Sequence, residues 1–190
     1  MSVDQGDRDA RLGRFISLVL RHDPSAAGVV LDEHGWVDVS ALLTGMNARG
    51  HRIDMATLER IVASNNKHRY SFDGDHKRIR ANQGHSVPVD VELTPVTPPS
   101  VLYHGTAERF LGSIKEQGIT RQARQHVHLS ADVSTAMAVG KRHGRPIVLR
   151  VDAAAMARDG RQFWLSENGV WLCAEVPREY VSVEPMHDHS

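Results

Sequence analysis

Cysteine is almost missing: Cys173 stands alone among 190 residues, which excludes an internal disulfide and any zinc site built from several thiolates. No apolar run approaches the ~20 residues that a membrane helix needs, and Met1-Ser2-Val3-Asp4-Gln5 has nothing of a signal segment. A cytoplasmic protein with no membrane partner is therefore expected. An excess of either charge is missing too. Lys plus Arg and Asp plus Glu number 23 each, so no global basic field advertises a nucleic acid, and such a partner would have to be held by a local patch. There is no internal repeat or low-complexity tract. What is present is a chain 41% hydrophobic, ordinary for a water-soluble globular protein and long enough for one domain or two small ones.

The chain opens polar, and its first few residues are expected to fray. Leu12, Phe15, Ile16, Val19 and Leu20 then recur at i, i+3, i+4, i+7 and i+8, the stripe of an amphipathic helix. Asp23-Pro24 stops it, because proline disfavours a helical conformation in the residue before it. Arg21 and His22 fall in the last turn, where the negative end of the helix dipole favours cations, so a charged cap alone would account for them. Gly35-Trp36-Val37-Asp38-Val39 reads as a short strand, and Ser40 as the N-cap of a helix through Ala41, Leu42, Leu43 and Met46 that Gly50 closes. Ile53, Met55, Leu58, Ile61 and Val62 make the next helix, with Asp54 as N-cap and an end near Asn65-Asn66. Tyr70-Ser71-Phe72 and Lys77-Arg78-Ile79-Arg80 flank Asp73-Gly74-Asp75 as a hairpin with a glycine turn. Three helices and a basic hairpin outline a winged-helix domain over residues 1–86, with Lys67, Arg69, Lys77, Arg78 and Arg80 as its local basic patch. Such a fold binds nucleic acid or serves only as a scaffold, so the outline does not decide function.

Between Ser86 and Ser100 the composition shifts to Pro88, Pro95, Pro98 and Pro99 among valines and threonines. Residues 87–100 read as an extended connector able to pair at a sheet edge. Beyond it, residues 101–190 alternate strands and short helices, so the chain as a whole is α+β. Val101-Leu102-Tyr103 is a strand running into His104-Gly105-Thr106. A helix carrying Phe110, Leu111 and Ile114 ends at Gly118, and Asp132 caps another through Ala136 and Val139. Pro146 to Val151, Phe163-Trp164, Val170-Trp171-Leu172 and Tyr180-Val181-Ser182-Val183 complete the strands, and the His187-Asp188-His189-Ser190 tail is expected to be disordered.

The stretch Arg124-Gln125-His126-Val127-His128-Leu129-Ser130 carries the densest chemistry. Its alternation places Val127 and Leu129 on one face of a strand and His126 and His128 on the other. A guanidinium just before the strand and a hydroxyl just after it would suit a polyanionic ligand, although solvated surface histidines would produce the same pattern. His104, His126 and His128 lack the spacing of a known metal motif, so no metal is assigned.

Leu102-Tyr103-His104-Gly105-Thr106, Gln125-His126-Val127-His128-Leu129-Ser130 and Asn168-Gly169-Val170-Trp171-Leu172 resemble motifs of the RNA 2′-phosphotransferase family. Leu20-Arg21-His22-Asp23-Pro24, Lys67-His68-Arg69-Tyr70 and Asn82-Gln83-Gly84-His85-Ser86 do so upstream, in the family's order and over nearly the whole chain. The resemblance implies a winged-helix N-terminal lobe and an ADP-ribosyltransferase-like C-terminal lobe. It implies NAD as co-substrate, and as partner an RNA bearing an internal 2′-phosphate, tRNA-like and met in tRNA splicing; a monomer is expected. Arg21, His22, Arg69 and Arg124 would handle the phosphate. His104, Gly105, Thr106, His128, Leu129 and Ser130 would hold NAD, with Val176 as the apolar third member of the nucleotide-site signature and Glu175 beside it as the competing alignment.

By the same resemblance, the 2′-phosphate attacks C1″ of NAD and expels nicotinamide. The 2″-hydroxyl then attacks phosphorus, releasing the RNA 2′-oxygen and ADP-ribose 1″,2″-cyclic phosphate. A phosphate dianion needs no base for the first step, whereas the second builds charge on phosphoryl oxygens that arginines stabilise without a divalent metal. His22 suits general acid or base work there, since a free imidazole changes charge near neutral pH. A mono-ADP-ribosyltransferase acting on phosphate or protein acceptors, and a winged-helix nucleic-acid-binding regulator, are the alternatives.

Overall fold

In the computed structural model, which describes residues 3–65 and 67–185, the chain divides into two units, Met1–Glu92 and Leu93–Ser190. Both mix helices with small antiparallel sheets, so the α+β class holds. The His187–Ser190 tail lies outside the described residues.

In the first unit, helix α1 spans Val3–Arg21 and so begins well before the apolar stripe, in the stretch expected to fray. The stripe itself is the core-facing side. Leu12, Ile16, Val19 and Leu20 are buried and Phe15 packs against them, each stabilising the fold by roughly 1.5–3 kcal/mol. Arg21 is the last helical residue and His22 follows it. Pro24 then opens a turn of 3-10 helix, Pro24–Ala27, capped by the Asp23 side chain.

Strand β1 is only Val37–Asp38, and helix α2, Val39–Ala48, starts earlier than expected. The cap is Asp38 rather than Ser40. Its carboxylate accepts the Ala41 N–H at 3.0 Å and the Ser40 hydroxyl, and an anion sits better than a neutral hydroxyl at the positive end of the helix. Arg49 and Gly50, the latter left-handed at φ 83°, end α2. Helix α3, Met55–Ala63, carries the expected Asp54 cap.

Strands β2, Tyr70–Phe72, and β3, Arg78–Ala81, form the hairpin, and β3 pairs on its other side with β1. Glycine does not make the turn. The left-handed residue is His76, φ 55°, and the Asp73 carboxylate closes the loop by accepting the Lys77 and Arg78 N–H groups at 2.8 and 2.9 Å.

The second unit is built on strand β4, Val101–Ala107. It pairs along its full length with strand β6, Pro146–Asp152, and β6 pairs in turn with strand β9, Val181–Val183. Strands β5 (Val127–Leu129), β7 (Phe163–Leu165) and β8 (Trp171–Cys173) form another sheet in the order β5-β8-β7. Tyr103 and Ser130 exchange both backbone hydrogen bonds, at 2.9 and 2.7 Å, and so join β4 to the end of β5.

Helix α4, Leu111–Gln117, stops at Gly118 as expected, and α5, Val133–Gly140, is capped by Asp132. Helix α6, Ala153–Arg158, capped by Asp152, was not anticipated from the sequence, although its Ala-Ala-Ala-Met-Ala run has high helix propensity. The proline-rich segment pairs at the free edge of β7, where Pro95 bridges Trp164 and the Val96 N–H donates to Phe163 at 2.8 Å. Val127, Leu129, Leu149, Val151, Phe163 and Cys173 belong to the core. Burial there pushes the Cys173 thiol up to about 12, so it acts as a small apolar side chain. No helix among the described residues is long and apolar enough to cross a membrane.

Candidate functional site

In the second unit, β5 presents the expected alternation: Val127 and Leu129 are buried, while His128 is partly open. Arg124 lies on the approach to the strand, and its guanidinium NH1 stands 3.1 Å from His128 Nδ1. A guanidinium only donates, so His128 Nδ1 accepts and the ring's proton sits on Nε2. His104, on β4, donates from Nδ1 to the His128 main-chain carbonyl at 3.0 Å. Burial pushes its pKa down, with His143 and Arg124 adding to the shift and the carbonyl bond opposing it. Arg124, His104, His128 and Ser130 are thus brought together by β4 and β5.

The remaining expected residues of this unit sit differently. Gly105 faces α5 so closely that a Cβ would lie 1.7 Å from the Ala136 carbonyl oxygen, so its place in the motif is a packing requirement. Thr106 is buried. Leu129 and Val176 have core side chains, and Val176 exchanges backbone hydrogen bonds with Ile119 at 2.8 and 2.9 Å. Glu175 is exposed and ion-paired with Arg161 at 2.8 Å. His126 has its ring tilted against Trp164, centroids 5.1 Å apart, and burial lowers its pKa. Among the described residues, no three His, Cys, Asp or Glu side chains are grouped to hold a metal ion.

In the first unit, Arg21 and His22 occupy the end of α1. The Arg21 guanidinium carbon is 5.8 Å from the centre of the Tyr70 ring, next in sequence to Arg69. His22 Nδ1 lies 2.9 Å from the Ser86 hydroxyl. The Arg69 carbonyl receives the Asn82 N–H at 2.9 Å. Asn82 and Ser86 are bonding partners that sequence reasoning did not single out. They lie in the quoted Asn82–Ser86 motif, and their types and spacing gave no sign of which backbone they would meet.

The donors of β4 and β5 are imidazoles and hydroxyls with a guanidinium beside them and no carboxylate. That set fits ribose hydroxyls and phosphate oxygens, which is what a dinucleotide presents.

A family model described as RNA 2'-phosphotransferase, Tpt1 / KptA family matches residues 7–175, ending one residue before Val176. A Fusobacterium nucleatum protein named probable RNA 2'-phosphotransferase is 51% identical over 176 residues, 92% of this chain and 98% of that one. Proteins of the same name from Agrobacterium fabrum and Hahella chejuensis are 52% and 50% identical over 170 residues, 90% of this chain and 91% of each of theirs.

Proposed function

The chain belongs to the RNA 2′-phosphotransferase family and is a transferase of that kind, and from that premise we propose that it removes an internal RNA 2′-phosphate by transferring it to NAD. The observation that carries the reading is the run of contacts from Arg124 to His128 to His104, which sets a phosphate-binding cation beside imidazoles suited to ribose. In this reading residues 1–86 are a winged-helix lobe, 87–100 a connector and 101–190 an ADP-ribosyltransferase-like lobe, and the protein is a cytoplasmic monomer acting on tRNA-like RNA.

NAD supplies the electrophilic ribosyl carbon C1″ and a nicotinamide leaving group. His104, His128, Thr106 and Ser130 orient its ribose, and the backbone at Gly105, Leu129 and Val176 gives the site its floor. Arg21, His22, Arg69 and Arg124 hold the RNA 2′-phosphate. A phosphate oxygen forms a bond to C1″ as the bond to nicotinamide breaks, leaving ADP-ribose on the RNA phosphate. The ribose 2″-oxygen then bonds to phosphorus, the bond to the RNA 2′-oxygen breaks, and the 2″-hydroxyl proton reaches that oxygen through His22. The arginines stabilise the charge that gathers on the phosphoryl oxygens. An apolar Val176 leaves the 2″-hydroxyl free of a carboxylate that would compete with its attack.

The test is to incubate the protein with NAD and an RNA bearing one internal 2′-phosphate. Nicotinamide, ADP-ribose 1″,2″-cyclic phosphate and 2′-hydroxyl RNA should appear in equal amounts. ADP-ribose left on the RNA as the final product would identify a mono-ADP-ribosyltransferase, and RNA binding without nicotinamide release would identify a regulator.

A further inference from the structure

Three of the four residues proposed to handle phosphate are carried by two short pieces of the first unit: Arg21-His22, ending α1, and His68-Arg69, entering β2. Both pieces are tied to one segment, Asn82–Ser86, which leaves the end of β3. Asn82 gives its backbone N–H to the Arg69 carbonyl at 2.9 Å and its side-chain Nδ2 to the His68 carbonyl at 2.7 Å. A carbonyl only accepts, so the amide must turn its NH2 end there and its oxygen away. His68 needs the support, since it holds a left-handed conformation, φ 41°, that side chains other than glycine seldom adopt. The direction in which Arg69 leaves that turn depends on it.

Four residues on, Ser86 does the same for α1. The carbonyls of a helix's last turn have no partner within the helix. Ser86 supplies one, its N–H donating to the Arg21 carbonyl at 2.9 Å, while its hydroxyl lies 2.9 Å from His22 Nδ1. A hydrogen bond at Nδ1 holds the ring's orientation, the hydroxyl being able to donate to a bare Nδ1 or accept from a protonated one. Gly84, left-handed at φ 85°, turns the chain between the two contacts, and His85, 1% exposed, anchors it.

We propose that Asn82–Ser86 is a positioning strap, in which Asn82 sets Arg69 and Ser86 sets His22 for phosphate transfer. The inference rests on the phosphate assignment made above and adds the residues through which two of those groups are held. Asn82 and Ser86 are positioning residues, acting through their partners. Ser86 is exposed, so removing its hydroxyl leaves the core unchanged.

The experiment uses full-length protein, NAD and 2′-phosphorylated RNA. Ser86→Ala should slow conversion roughly 10-fold and move its pH profile, Ser86→Thr should restore both, and Asn82→Ala and Asn82→Asp should slow it on the order of 10- to 100-fold. NAD affinity in the absence of RNA should be unchanged in all four. The decisive measurement is a pair of double-mutant cycles. Ser86→Ala should cost nothing further in a His22→Ala background, nor Asn82→Ala in an Arg69→Ala background. Losses that multiply, with His22→Ala and Arg69→Ala themselves impaired, overturn the strap alone. Full conversion by His22→Ala and Arg69→Ala overturns the phosphate assignment beneath it. Should the Asn82 variants fail to fold, the Ser86 cycle decides.

Discussion

His104 donates its Nδ1 proton to the main-chain carbonyl of His128 across 3.0 Å, which makes Nε2 the acceptor whenever the ring is neutral. Burial lowers the pKa of this ring, so neutrality is its resting state at physiological pH. A histidine whose folded pKa lies below its unfolded value of about 6.5 binds a proton more readily in the unfolded chain. Stability therefore rises with pH between the two values, and is lost as pH falls below about 6.5. His104→Asn keeps a donor toward the His128 carbonyl but does not titrate. Its thermal unfolding midpoint should fall less steeply than that of the unsubstituted protein between about pH 7 and pH 5. Parallel curves would mean that burial does not perturb His104.

Gly105 lies in the same strand, and any side chain there meets backbone, with a Cβ 1.7 Å from the Ala136 oxygen and 3.0 Å from the Gly140 nitrogen. Neither atom can move without shifting α5. Gly105→Ala should destabilise by about 3 kcal/mol or more, a loss of several degrees in Tm for a chain of this size. A Tm within a degree of the unsubstituted protein would show that α5 can give way, and would return Gly105 to a role in ligand approach.

Patterns that depend on neighbours in sequence were legible before any coordinates. The 3.6-residue stripe of α1, the burial of Val127 and Leu129 around an open His128, and the caps at Asp54 and Asp132 all follow from local chemistry. Where two local solutions competed, the stronger acceptor won: Asp38 displaced Ser40 as cap, and Asp73 closed the hairpin loop in place of Gly74. What no local pattern carries is contact between distant segments. Ser86 is 64 residues from the histidine it bonds, and the Asn82 amide reaches a carbonyl 14 residues back. The motif containing them could be recognised, but its partners could not be deduced.

The two candidates for the third nucleotide-site position sit in opposite environments. Val176 is 1% exposed in the core, and Glu175 is an exposed partner of Arg161. Glu175→Gln should change stability by no more than about 1 kcal/mol, as expected for an exposed ion pair, and should leave NAD turnover within about twofold, a difference worth less than ~0.5 kcal/mol. Turnover and Tm measured on the same preparation check both. Collapse of turnover in a folded Glu175→Gln protein would make Glu175, and not Val176, the signature residue.

The two chemical steps should respond differently to the arginines. Attack on C1″ asks that the phosphate be held near that carbon, a positioning demand, whereas transfer of the phosphoryl group gathers charge on its oxygens in the transition state. Only interactions stronger in the transition state than in the ground state speed a step. Removing one donor from such a site costs about 3–4 kcal/mol where charge develops, or on the order of 100- to 1000-fold, and less where the ligand is merely bound. Arg69→Ala and Arg124→Ala should therefore accumulate RNA carrying 2′-phospho-ADP-ribose. His104→Ala, which removes the donor to the His128 carbonyl, should mainly slow formation of that intermediate. A time course with RNA labelled at the 2′-phosphate, resolved into substrate, intermediate and product, reads both rates in one experiment. Arg124 carries a further expectation. Its guanidinium contacts His128 Nδ1 at 3.1 Å, so Arg124→Ala also removes that contact from the ring and should slow the first step more than Arg69→Ala does. Equal slowing of substrate loss and product release by both variants, with no intermediate at any time, would mean that the arginines serve binding alone.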